Sequence, residues 1–343
     1  MKILIEIGHP GHVLHFKNFI YECRKKGHKI KVVSKDKEIS LQLLQAFNIP
    51  YINLGKTKKG LFWKFIHTSR AILKTFMVSL RFKPDVYLGR ASAELAFSSF
   101  ILRKPYLCFS DTEHAKINRI VAHPFATKII TPSCFKINFG KKHLKVDSYF
   151  ELAYLHPQYF KPDPSVFEDL DSGLKKGDEF FVLRFVSWGA SHDIGQHGFN
   201  INNKRKLVEV LEKQGRVFIT SEKPLEKEFE KYRINISPER IHDLLYYASM
   251  YVGEGGTMAS EAAVLGTPSV FVNTLHMGYT DEEAKKYELI FQSTNIDEII
   301  DKVNCWLENK NLKKDWQEKK NNLLKDKIDL TKWMVDFVEH KFD

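Results

Sequence analysis

Twice along the chain a short apolar run stops at a glycine turn and gives way to a helical stretch, and this alternation constrains the fold more than any other feature. The first instance is Lys2 to Ile7, then GHPGH, then Phe16, Phe19, Ile20 and Cys23 at helical spacing as far as Gly27. The second is Met250 to Gly253, then EGGT, then an Ala-rich helix over Thr257 to Leu265. Around the first, strands at Lys29–Ser34 and Tyr51–Leu54 with a helix over Ser40–Phe47 complete a β-α-β-α-β series. Such a series specifies a parallel sheet with helices on its faces. Further strands are expected at Val86–Leu88, Pro105–Phe109 and Lys128–Thr131, with helices over Ala93–Leu102 and Ala115–Ile120.

The series is interrupted at FELAYLHPQYFKPDP, which has three prolines within eight residues and no helical or strand period. Residues 151–165 therefore read as a linker, between a first Rossmann-like domain at 1–150 and a second at 166–311. A length of 343 residues also favours two domains over one. The second half repeats the pattern, with strands at Glu179–Phe185, Arg216–Thr220, Met250–Gly253 and Ser269–Val272. Its helices fall at Asn203–Gln214, Pro238–Ala248, Thr257–Leu265 and Ile296–Asn309. A Lys-rich helical tail, residues 312–343, is expected to pack back on the first domain. The fold class is α/β, two Rossmann-like parallel-sheet domains facing a central cleft.

The segment Gly253 to Pro268 carries most of the functional signal. Gly255 and Gly256 let the backbone approach a ligand with no Cβ in the way. Thr257 stands where a helix begins, and the first amides of a helix are unpaired donors at the positive end of its dipole. That is an anion site, and phosphate is the usual anion. Glu261 would repel phosphate but suits ribose hydroxyls, which need an acceptor. Gly266 and Pro268 end the helix. A turn built only for packing is the alternative reading. The Glu at that offset and the second glycine stop favour a nucleotide.

GEGGTMASEAAVLGTP resembles the donor-binding motif of GT-B-fold glycosyltransferases and of the related UDP-N-acetylglucosamine 2-epimerases. IGHPGHVLHFKNFIYECRKKGHKIKVVS resembles the GGTGGH-containing start of the lipid-linked muramyl-pentapeptide N-acetylglucosaminyltransferase. Together, ELAYLHPQYFKPDP, LRFVSWGASHD and the GEGGTMASEAAVLGTP block are similar to the prokaryotic domain-of-unknown-function 354 family, over nearly the whole chain. The resemblance implies a diphosphate over Gly255, Gly256 and Thr257, a ribose on Glu261, and a base against Ser237 to Ile241. It also implies that Arg184, Ser187 and Ser221, at or just beyond strand ends, border the donor site, as strand carboxyl ends do in open α/β sheets.

For the chemistry, GHPGHVLH places His9, His12 and His15 around the first strand–helix turn. His12 matches the His of the GGTGGH motif, whose first Gly is Ile7 here. Histidine is readily tuned to accept a proton near neutral pH, so His12 is the candidate base for an acceptor hydroxyl. A loop histidine near a helix cap is the bland alternative. No carboxylate or cysteine joins the three imidazoles in sequence, so no metal is expected. Asp111 and Glu113, in SDTEHA after a strand, are further acid/base candidates, and Glu113 falls where the epimerases carry a catalytic Glu. Those enzymes also use an Asp one strand earlier, where this chain has Arg90. Arg90, with His9, suits an anionic acceptor or the donor phosphates. Asp169-Leu-Asp171 spells DxD in a surface loop and is taken as chance.

A net charge of +11 favours an anionic partner. Residues 56–84, KTKKGLFWKFIHTSRAILKTFMVSLRFKP, interleave Lys and Arg with aromatic anchors, as an interfacial membrane helix does. A core helix with solvated lysines is the alternative. No recognised nucleic-acid module is present, so nucleic acid is not an expected partner. The four cysteines form no CxxC pair, and the start shows no signal-peptide pattern. The expectation is a cytoplasmic enzyme, peripheral at most on the inner membrane face. Its substrates would be a nucleotide-sugar donor and a glycan or lipid-linked acceptor of the cell envelope, with no cofactor. The chemistry expected is glycosyl transfer, with nucleotide-sugar 2-epimerisation as the alternative.

Overall fold

A computed structural model describes residues 1–56, 60–114, 120–170, 173–185, 199–221 and 224–342. The chain divides into two compact units, Met1–Tyr154 with Ile328–Asp343, and Leu155–Lys327.

The first unit is built on seven parallel strands: β1 (Lys2–Ile7), β2 (Lys29–Ser34), β3 (Tyr51–Asn53), β4 (Val86–Gly89), β5 (Tyr106–Phe109), β6 (Lys128–Pro132) and β7 (His143–Val146). Their order is β3-β2-β1-β4-β5-β6-β7. Four longer helices serve this sheet: α1 (Pro10–Lys25), α2 (Ser40–Ala46), α3 (Leu61–Phe82) and α4 (Ala93–Ile101). Central strands such as KILIEI and VYLG are buried on both faces, which is why they read as unbroken apolar runs. β7, HLKV, was not legible beforehand. It lies at a sheet edge, where one side is solvated and no apolar run is required. The expected helix at Ala115–Ile120 lies almost wholly outside the described residues.

The second unit has five parallel strands: β8 (Phe180–Phe185), β9 (Arg216–Ser221), β10 (Met250–Gly253), β11 (Ser269–Phe271) and β12 (Ile290–Gln292). They run in the order β12-β11-β10-β8-β9. Its longer helices are α5 (Ile201–Glu212), α6 (Ile241–Tyr247), α7 (Gly256–Leu265), α8 (Gly278–Lys285), α9 (Ile296–Leu307) and α10 (Leu312–Asp326). The expected helix over Pro238–Ala248 is a 3-10 turn, Pro238–Arg240, running into α6. The short edge strand β12 and the polar helix α8 were not anticipated.

The tail is shared out between the two units. Helix α10 packs against α7 in the second unit, and Gln317 Nε2 donates to the carbonyls of Leu265 and Gly266 at 3.1 Å each. Helix α11 (Leu330–Glu339) belongs to the first unit and lies against α1. There Thr331 Oγ1 donates to the Ala153 carbonyl at 2.8 Å.

Candidate functional site

In an open parallel sheet, ligands bind outside the strand carboxyl ends where the strand order reverses. In the first unit the reversal falls between β1 and β4, because β2 and β3 lie to one side of β1 and β4 to β7 to the other. In the second it falls between β8 and β10. Several of the residues singled out in sequence stand at these two places.

At the first reversal, His9 is the N-cap of α1 and His12 lies in its first turn. His9 Nδ1 accepts the Gly11 N–H, and His12 Nδ1 accepts the Gly8 N–H, at 3.2 Å each. A backbone amide can only donate, so the lone pair on His12 Nδ1 is engaged and the neutral ring carries its proton on Nε2. Burial, the Arg90 charge and the neighbouring His9 hold the His12 pKa well below the ordinary histidine value. The positive end of the α1 dipole acts in the same direction. In this arrangement His12 Nε2 can donate a hydrogen bond, and the lowered pKa disfavours the imidazolium. His15 is buried among the rings of Phe16, Phe109 and Phe150, at centroid distances of 4.5, 5.1 and 4.6 Å. The His9 and His12 rings lie 5.9 Å apart, whereas His15 sits in this aromatic cluster.

Arg90 follows β4 directly. Its Nη2 donates to both oxygens of Asp111, at 2.8 and 2.7 Å, and its guanidinium lies 4.7 Å from the Phe150 ring centre. Tyr106 Oη holds the Arg90 carbonyl, and Thr112 Oγ1 donates to Asp111 at 2.9 Å. Arg90 Nη1 is buried with no hydrogen-bond partner among the described residues. A buried cationic donor of this kind calls for an anionic acceptor. Glu113 does not join this group. Its carboxylate is buried and accepts the Lys136 N–H at 3.3 Å.

One cluster escaped the sequence reading. Glu6, on β1, is 2% exposed, and its carboxylate lies 3.9 Å from Lys35 Nζ, which in turn pairs with buried Glu94 at 2.9 Å. Ser92 Oγ donates to Glu94 at 2.8 Å. Burial raises the Glu6 pKa to about 7, with Lys35 opposing and Glu94 reinforcing the shift. The available signal was a carboxylate near the end of an otherwise apolar parallel strand, KILIEI.

At the second reversal, β10 pairs Gly253 with Arg184 on β8. Helix α7 then starts from Gly255, which offers no side-chain cap, and its first intrahelical bond runs from the Ala259 amide to the Gly255 carbonyl at 3.1 Å. The amides of Gly256, Thr257 and Met258 precede it, and Thr257 is exposed. Gly256 answers a packing need as well, since a Cβ there would strike the Met277 methyl. Glu254, between the strand and the turn, is buried and accepts the Phe199 N–H at 2.7 Å.

Glu261 is buried, with a carboxylate oxygen 3.0 Å from Nε2 of buried His242, a pairing that sequence alone did not indicate. Ile241 begins α6 beside it, and Arg240 is 3.0 Å from Asp169, the first residue of the chance DxD. Arg184 Nη1 lies 3.5 Å from Thr220 Oγ1, and Ser221 ends β9. Ser187, like His192, Asp193, His197 and Asp171, lies outside the described residues.

Two parallel sheets, each with its sequence-marked residues at the strand-order reversal, define the GT-B fold. The likeness to solved structures is one of fold. The UDP-GlcNAc 2-epimerase from Neisseria meningitidis bound to UDP-GlcNAc matches with a TM-score of 0.72 at 14% identity, covering 99% of this chain and 100% of that one. The spinosyn rhamnosyltransferase SpnG complexed with spinosyn aglycone matches with a TM-score of 0.59 at 11% identity, covering 100% of both chains.

The model for the family described as "Protein of unknown function (DUF354)" matches residues 1–342, and the chain belongs to that family. The uncharacterized protein MJ0665 of Methanocaldococcus jannaschii is 26% identical over 317 residues, or 88% of this chain and 91% of that protein.

Proposed function

We propose that this protein is a metal-independent glycosyltransferase that moves a sugar from a nucleoside-diphosphate donor to a glycan or lipid-linked acceptor of the cell envelope. The observation that carries the reading is the uncapped start of α7 at Gly255–Thr257, standing at the strand-order reversal of the second unit. In transfer, the bond from the anomeric carbon to the β-phosphate oxygen breaks, and the diphosphate leaves with that electron pair. The α7 amides would stabilise the developing charge without a metal, as preorganised donors do. The acceptor hydroxyl forms the new bond to the anomeric carbon and gives up its proton.

In the first unit Asp111 is the carboxylate placed with Arg90, and it is our candidate for that proton. His12, protonated on Nε2, would orient the acceptor, and Arg90 with its unpartnered Nη1 would bind an anionic group of it. His9 flanks the same turn. Glu261 remains the candidate for the ribose, directly or through His242, with Arg184, Ser187, Ser221 and Ile241 around the nucleotide.

A second reading, C2 epimerisation of a UDP-N-acetylglucosamine-type nucleotide sugar, is favoured by the whole-chain likeness to the Neisseria enzyme. It needs carboxylates able to take and return a carbon-bound proton. Glu113 is the candidate, but Arg90 occupies the position where the resemblance asks for a second.

Thermal shift against a panel of nucleotide sugars, followed by assay of nucleoside diphosphate, separates the readings. A raised Tm with acceptor-dependent diphosphate release is the expected result. A raised Tm with an epimeric nucleotide sugar and no release would favour epimerisation, and no response to any nucleotide would overturn both.

A further inference from the structure

Helices α3 and α4 both leave large apolar side chains exposed on their outer faces. On α3 the fully buried positions are small or polar, Ala71, Thr75 and Ser79, with Val78 and Phe82 partly buried against the core, and Ser79 Oγ donates to the Thr75 carbonyl at 2.8 Å. The exposed positions of α3 include a run of apolar ones. Leu73 is 61% exposed, and Met77 and Leu80 follow at the i+4 and i+7 positions at 44% and 43%. Helix α4 buries Leu95 and Ala96 together with Glu94, Ser98 and Ser99, while Phe97 and Phe100 are 44% and 61% exposed. The two outward faces are continuous. Phe76 of α3 meets Phe97 of α4 edge to face at 5.8 Å, and Phe100 meets exposed Phe125 at 5.3 Å. An apolar patch spanning three elements is larger than scattered surface hydrophobics explain, and it marks an interaction surface.

The charges around it select the partner. Among the described residues Arg70, Lys74, Arg81 and Lys83 are exposed on α3 or just after it, and exposed Arg103 and Lys104 follow α4, while residues 56–84 contain no Asp or Glu. The acidic residues from 56 to 110 are Asp85 and Glu94 alone. Glu94 is buried against Lys35, and Asp85 holds the Lys2 amide at 2.7 Å. The face therefore presents aromatic and aliphatic side chains inside a cationic rim, with no exposed carboxylate on either helix. A second copy of the chain would bring the same cationic rim and be repelled. A bilayer containing anionic lipid offers acyl chains to the apolar centre and phosphates to the long basic side chains at its edge.

We infer that the α3–α4 face, extended by Phe125, docks this protein on an anionic membrane surface. The inference stands apart from the reaction proposed above, because vesicle binding needs no turnover. The test is co-sedimentation of the full chain with phosphatidylcholine vesicles, with and without phosphatidylglycerol. Two variants accompany it: Leu73→Glu/Phe97→Glu/Phe100→Glu on the apolar centre, and Arg70→Glu/Lys74→Glu on the rim. All the altered side chains are exposed, so folding should be retained, with circular dichroism and melting as the check.

The wild type should sediment with phosphatidylglycerol vesicles only and be released by salt, and each variant should bind roughly tenfold more weakly or worse. Wild-type protein that stays in the supernatant with both vesicles would overturn the inference. So would variants that sediment like the wild type, or a wild-type dimer in equilibrium sedimentation that the triple variant converts to monomer.

Discussion

His12 shows how one hydrogen bond can redirect a residue's chemistry. As a proton acceptor it would be the natural base, but the Gly8 amide on Nδ1 leaves a proton on Nε2, and the ring becomes a donor. His12→Gln, which retains an N–H near that position, should then keep activity within about tenfold, whereas His12→Phe should lose on the order of a hundredfold. Equal losses in both, measured as kcat/KM, would restore the base role. Nitrogen NMR should show His12 neutral and protonated on Nε2 throughout the physiological range. Glu6 offers a separate test. Its folded pKa, near 7, lies above its unfolded value, so it binds its proton more tightly when folded. Its stabilising contribution is complete below the unfolded carboxylate pKa and is lost as pH rises toward 7, on the order of 3 kcal/mol in all. The stability of wild type minus Glu6→Gln, from urea melts at several pH values, should fall through that window and level off above it.

Among the elements, α7 was the most legible because its stop and start are chemical: glycines before it, Gly266 and Pro268 after it. Gly266 has φ of +74° as the left-handed C-cap, and a Cβ there would come 2.5 Å from Gln317 Nε2, which caps the same carbonyls. Gly266→Ala should therefore destabilise by about 1–3 kcal/mol in urea unfolding, combining backbone strain with loss of the Gln317 contacts. Strands β7 and β12 were missed for want of an apolar run, since edge strands do not need one. Helix α8, GYTDEEAK, was missed because it has little apolar face; its buried Glu283 accepts from Ser260 Oγ at 2.6 Å instead. The basic stretch at 56–84 was recognised as an amphipathic helix, but which face would be outward was not readable from its spacing.

For the whole molecule, the sequence separated two α/β series but treated the tail as one body, whereas α10 serves the second unit and α11 the first. Helix α11 buries Leu330, Met334, Val335, Phe337 and Val338, and Glu339 pairs with Lys26 and His28 at 2.5 and 3.0 Å. Losing even one large core side chain costs about 2–5 kcal/mol, and a domain is stable by only about 5–15 kcal/mol. Deleting residues 328–343 should therefore unfold the first unit, seen as rapid proteolysis within residues 1–154.

By itself the sequence determined the periodic pattern: apolar strands, helices between them, and the glycine turns that join them, all set by interactions within a few residues. Tertiary structure alone decided which strands are neighbours, and so where each sheet reverses and which turns stand together there. It also set the titration of buried groups, because the lowering at His12 and the rise at Glu6 follow from burial first, and then from charges far away in the chain, Arg90 for His12 and Glu94 for Glu6. The outward apolar face of α3 and α4 was likewise settled only by packing, since a helix's spacing defines its faces but not which of them its neighbours cover.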